Sequence, residues 1–282
     1  YAENWEEDRL ESLTREAMRF SVAEGLPTSF VTEDTTRAKP STLRRLFTAA
    51  IEEGASRLVL CDTVGHATPE GVGALLRWAG DLLRELGVRD RVLLDWHGHD
   101  DRGLALVNTI AAIEAGADRV HGTVLGIGER VGNTSLDHLL VNLKLWGAPT
   151  GDLRRLGELV RAVSAAVARE VPVAYPVFGE DAFMTGTGVH AAAVIKAQRK
   201  GDDWLADRVY SGVPAGWFGL RQGIGVGPMS GESNVRWFLE DRGIPVTPEV
   251  VRAVLEAAKG HKALLTEAEI RGVVARVSTV EA

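Results

Sequence analysis

One pattern recurs four times in this chain and limits what it can fold into: a helix-like stretch, then a glycine, then a short run rich in β-formers. The glycines are Gly25, Gly54, Gly87 and Gly116, spaced 29, 33 and 29 residues apart. A period near 30 is the size of a βα unit. Two units also share words, since Ala49-Ala50-Ile51-Glu52 with Gly54-Ala55 recurs as Ala111-Ala112-Ile113-Glu114 with Gly116-Ala117. The glycines suit helix C-terminal positions, where the backbone turns left-handed. Leu58-Val59-Leu60 and Val92-Leu93-Leu94 are continuous apolar runs, as parallel strands between two layers require. Repeated units of this kind predict a parallel α/β fold, either a barrel or a doubly wound sheet.

Polar residues separate these two. Each strand-like run ends in a polar cluster: Glu33-Asp34, Asp62-Thr63, His97-Gly98-His99-Asp100 and Gly126-Ile127-Gly128-Glu129-Arg130. Polar groups from several successive strand ends, aimed at one place, are the habit of a TIM barrel. A doubly wound sheet would carry a Gly-rich first turn, and none is present. Four strands are counted where a barrel needs eight, so the expectation for 1–150 is the C-terminal half of a TIM barrel. An open half exposes two unpaired edges. Its complement is expected from an omitted N-terminal segment, a second polypeptide, or another copy. Residues 151–190 read as a helix (152–170) and a Pro/Gly-rich connecting arm, and 191–282 as small, mainly helical subdomains.

Composition excludes several classes. The formal charge of −7 on 282 residues argues against nucleic-acid binding, which needs basic surface. No apolar run is long enough for a membrane helix. A single cysteine, Cys61, excludes an internal disulfide and points to a reducing cytoplasm.

His97-Gly98-His99 is the strongest local signal. Residues two apart in a strand share a face, so two imidazoles at a strand end can grip one divalent cation. Asp95, Asp100 and Asp101 flank them. Asn133, beyond the next strand, offers an oxygen. The plain alternative is two histidines that happen to alternate. Glu33 at a barrel mouth is a base, a substrate anchor or a metal neighbour, unless the Glu33-Asp34 pair merely makes a loop salt bridge with Arg37. Thr63 either donates to a substrate carboxylate or caps the next helix. The glycine-rich turn 126–133 either cradles an anion or closes the barrel. His190 follows a Gly-Thr-Gly-Val stretch in the arm, and Cys61 reads as a buried hydrophobe.

Taken in order, VTEDTTR (31–37), LCDTVGHATPEG (60–71), HGHDDRGLALVN (97–108), GADRVHGTVLGIGERVGN (116–133), FGEDAFMTGTGVH (178–190) and GPMSGESNV (227–235) resemble the pyruvate-carboxyltransferase-like, metal-dependent TIM barrels. That group includes 2-isopropylmalate, homocitrate and citramalate synthases and the hydroxymethylglutaryl-CoA lyases. The last two words resemble the synthases. The resemblance implies a Claisen condensation of acetyl-CoA, as co-substrate, with a 2-oxo acid to give a 2-hydroxy-dicarboxylic acid. It implies Mg²⁺, Mn²⁺ or Zn²⁺ on His97 and His99, with Asn133 a weaker or outer ligand. It places Glu33 and Thr63, with Arg37, at the 2-oxo acid, and His190 and Tyr210 in the acid/base chemistry. It also implies a dimer, because the arm reaches over a neighbouring barrel. The family's first-strand word DxTLRDGxQ, which carries an Arg and a metal-binding Asp, is absent, and Asp100 stands where the synthases carry Asn. The polypeptide alone is therefore expected to be inactive or weakly active. A lyase on the same scaffold, or a non-catalytic assembly or regulatory role, are the competing readings.

Overall fold

The computed structural model describes residues 5–280. They divide into two compact units, one up to Gly147 and one from Ala148 onward. Among the described residues no helix is long and apolar enough to cross a membrane.

The first unit alternates helix and strand. Its order is α1 (Glu7–Ala23), β1 (Ser29–Thr32), α2 (Pro40–Glu52), β2 (Arg57–Asp62), α3 (Pro69–Glu85), β3 (Leu93–Gly98), α4 (Ala105–Glu114), β4 (Arg119–Val120) and α5 (Leu136–Leu145). The strands form one parallel sheet in the order β1-β2-β3-β4. That is the α/β arrangement of a half-barrel built from four consecutive units. Gly25, Gly54, Gly87 and Gly116 all have positive φ, between 66° and 103°. The spacing in the sequence therefore marks the points where each helix stops and its strand begins.

The two faces of the sheet differ. Leu58 and Leu60 of β2 and Leu94 and Trp96 of β3 pack with Phe47, Ile51, Val72, Leu76, Leu82 and Leu83 of the helices. By strand alternation, Arg57, Val59, Cys61, Asp95 and His97 take the other face, the inside of the barrel curve. Val31 of β1 is 60% exposed, so this inner face is partly open at its β1 edge. On the helix side Phe47 is fully buried, edge-on to Phe30 at 6.3 Å and tilted against Trp78 at 6.2 Å. Phe47→Ala is expected to cost about 3–5 kcal/mol, read from a urea midpoint, because the packed rings around it cannot close the gap.

The fourth strand is the shortest of the four. Only Arg119 and Val120 pair with Asp95 and Trp96. Beyond them the chain is recruited by the 122–134 loop instead of extending the sheet. Thr123 N–H donates to Thr134 O at 3.0 Å, and Thr134 N–H donates to Gly98 O at 3.2 Å.

The second unit holds α6 (Leu156–Ala166), β5 (Met184–Thr185), α7 (Gly188–Arg199), α8 (Asp203–Ala206), β6 (Gly223–Ile224), α9 (Glu232–Asp241), α10 (Pro248–Lys259) and α11 (Glu267–Val280). β5 and β6 pair in parallel. The last three helices enclose Val235, Phe238, Leu239, Val250, Val254 and Ile270. Thr247 starts α10 by accepting from Val250 N–H, with Pro248 at the first helical position.

Candidate active site

The inner face of β3 carries the imidazoles. His97 lies on β3 opposite Cys61 of β2, and His99 bridges to Asn133 just past the strand. The two rings stand 5.1 Å apart, edge to face. A third ring, His121, lies 5.7 Å from His97. Gly98 between the two histidines reflects packing, since a Cβ there would sit 3.1 Å from the Trp96 indole nitrogen on the helix side. Burial, joined by the like charges of His99 and His121, holds the His97 imidazole below its ordinary pKa. A depressed pKa keeps that imidazole neutral, the form in which a nitrogen can bind a cation.

Two buried polar atoms here have no partner, His99 Nδ1 and Asn133 Oδ1. Asn133 Nδ2 donates to Ile127 O at 2.9 Å, which fixes the amide and leaves its oxygen unused. Buried polar atoms without partners are rare and call for a ligand or an ion. Two imidazoles and an amide oxygen suit a divalent cation with open positions. Among the described residues no three His, Cys, Asp or Glu side chains are placed to hold a metal by themselves. The set on this chain therefore fits a cation that takes a further ligand from elsewhere.

A second grouping lies at the β1 and β2 ends. Glu33, Asp34, Arg37 and Thr63 line one cleft of about 720 Å³. Thr63 Oγ1 accepts from Asp34 N–H at 2.8 Å, which leaves its own proton free to donate. Arg37 grips Asp34 through Nε at 2.8 Å and Nη2 at 2.7 Å. The loop salt bridge is thus present, with Asp34 rather than Glu33 as its carboxylate. Glu33 is exposed, yet near enough to the inner face that its charge adds to burial in pushing the Cys61 thiol up to about 11. Cys61 is buried as its apolar neighbours suggest, but on the inner face. A thiol so raised is inert at neutral pH.

Arg130 ties these loops together. It donates to both Asp101 oxygens at 2.7 and 2.8 Å and to Thr63 O at 2.7 Å. Asp62, fully buried, accepts from Thr36 Oγ1, His66 N–H and Ala67 N–H, so it is a loop anchor.

In the second unit, His190 and Tyr210 stack with centroids 4.1 Å apart and an interplanar angle of 25°. His190 stands in the first turn of α7. Two motif words hold that turn in place: Gly188 N–H donates to Met229 O at 3.0 Å, and Ser230 Oγ and Asn234 Nδ2 both donate to Gly186 O.

The sequence matches the HMGL-like family over residues 3–163, more than half of the chain. The chain belongs to the HMGL-like family. It is 36% identical over 273 residues to the protein named "Putative (R)-citramalate synthase CimA" of Methanopyrus kandleri, covering 94% of this chain and 51% of that protein. It is 33% identical to the homocitrate synthase AksA of the same organism, covering 93% and 63%. It is 31% identical to the 2-isopropylmalate synthase of Shouchella clausii, covering 86% and 46%. The chain spans about half the length of the first of these relatives.

The structure therefore brings His97, His99 and Asn133 into one cluster, Glu33, Arg37 and Thr63 into one cleft, and His190 and Tyr210 into one stack. Sequence reading missed His121. Its position directly after β4, level with His97 on the neighbouring strand, was the available signal.

Proposed function

We propose that this chain carries a large part of the catalytic centre of a synthase that condenses acetyl-CoA with a 2-oxo acid. The observation that carries the reading is the unpartnered pair His99 Nδ1 and Asn133 Oδ1 beside the His97 ring. A divalent cation held by His97, His99 and Asn133 would supply Lewis-acid polarisation of the keto group. Thr63 donates to the carboxylate of the 2-oxo acid, and Glu33 and Arg37 complete that end of the cleft. The His190–Tyr210 stack handles the proton removed from the acetyl methyl group. The methyl carbon then forms a bond to the keto carbon. Water cleaves the thioester, and the products are a 2-hydroxy-dicarboxylic acid and CoA.

The names of the similar proteins support a synthase over a lyase, as does the interlock of 178–190 with 227–235 in the second unit. β1 and β4 each pair on one side only among the described residues. Activity is therefore proposed to need the rest of the barrel, from an N-terminal half, a separate subunit or a second copy, with a homodimer as the simplest assembly.

The test is thiol release. Acetyl-CoA mixed with a panel of 2-oxo acids and the complete assembly is expected to yield free CoA with at least one of them. A chelator is expected to stop it. Thiol release that is indifferent to both the 2-oxo acid and the chelator overturns the proposal.

A further inference from the structure

The inner face holds a polar network just below the imidazole pair, and none of the site roles assigned above uses it. Asp95 is fully buried and lies two residues before His97 on the same face of β3. Its Oδ1 accepts from Arg57 Nη1 and its Oδ2 from Arg119 Nε at 2.7 Å. The same Oδ2 stands 3.1 Å from His121 Nε2. A carboxylate already accepting from two guanidinium groups has no proton to give, so the network assigns the donor role to His121 Nε2–H. The backbone of His121 is pinned as well, because its N–H donates to Trp96 O at 2.9 Å. The ring is thus held at its Nε2 end and the backbone at its N–H.

We infer that His121, anchored by Asp95, is a positioning residue for the cation site: its ring walls His97 at 5.7 Å and holds that imidazole toward His99. The inference rests on the proposed cation site and adds to it the part that fixes its geometry. His97 is only partly buried, so without a neighbour its ring would sample other orientations. A carboxylate-held imidazole against a ligand ring supplies the rigidity that an outer shell gives a metal site. Asp95 has a second effect. It offsets part of the positive charge of Arg57 and Arg119, whose guanidinium groups meet Asp95 two residues before His97. Uncompensated, that charge would repel a cation.

Two measurements test this on the full chain in its complete assembly. Without metal, long-range ¹⁵N spectra of the imidazoles are expected to show His121 as the Nε2–H tautomer. They are also expected to show the His97 ring signals moving in His121→Ala. With Co²⁺, His121→Ala is expected to bind about 10–100-fold more weakly and with an altered visible spectrum. His121→Gln keeps a donor for Asp95, which guards against a folding failure, and lacks the ring, so the same weakening is expected. An Nδ1–H tautomer, or wild-type Co²⁺ affinity and spectrum in either folded variant, overturns the inference. A wild-type chain that ignores Co²⁺, or a His97→Ala chain that binds it normally, overturns the cation site itself and the inference with it.

Discussion

Alanine in place of His97 or of His99 is expected to abolish metal-dependent CoA release in the complete assembly, leaving the level found with chelator. In the proposed site the chain would offer two nitrogen donors and one amide oxygen to a cation. Loss of either nitrogen leaves a single imidazole and Asn133 Oδ1. Removing an outer partner of a metal ligand costs about 10–100-fold in affinity or activity, and removing a ligand costs more. The two variants need not behave alike in stability. His99 is buried with Nδ1 unpartnered, so its loss empties a packed position, whereas His97 stands at the open inner face. Titration calorimetry with Mn²⁺ or Zn²⁺, beside a circular-dichroism melt, separates lost binding from lost folding. Near-normal turnover from a folded variant would sink the site assignment.

A large effect on stability is also expected at Gly132. Its φ is +101°, and a Cβ there would lie 1.8 Å from the carbonyl oxygen of Gly126. The backbones of both residues are already committed. Asn133 N–H donates to that same Gly126 oxygen at 2.9 Å, and Asp100 N–H donates to Gly132 O at 3.0 Å. Gly132→Ala therefore adds backbone strain and a clash that no side-chain rotation relieves, together roughly 2–5 kcal/mol. It is also expected to displace Asn133 and so weaken cation binding. Gly87→Ala is the matched control. Gly87 has φ +66° with nothing within 4 Å of the added carbon, so strain alone applies, about 1–2 kcal/mol. Equal denaturation midpoints for the two variants would show that the close approach of residues 126 and 132 is not what fixes this loop.

Much of the barrel half was legible in the sequence because its signals are local. A helix that must stop and return a strand needs a residue tolerant of positive φ, and four glycines one unit apart supply it. The imidazole pair was legible because strand alternation by itself puts residues 97 and 99 on one side. The shortness of the fourth strand was not legible, since the chain past Val120 answers to two competitors. The 122–134 loop takes the hydrogen bonds that a longer strand would have used. Arg37 illustrates the same limit at a single residue: 33–37 contains two carboxylates, and only folding decides that Asp34 takes the guanidinium.

The sequence by itself determined the repeating unit, the strand ends that carry polar groups and the residue types gathered there, since each depends on spacing along the chain. Tertiary structure alone decided which distant groups meet. His121 reaches His97, Asp95 lies between Arg57 and Arg119, and Tyr210 stacks on His190, because parallel pairing and helix packing set those distances. No periodicity along the chain encodes a distance between two strands that are neighbours only in space.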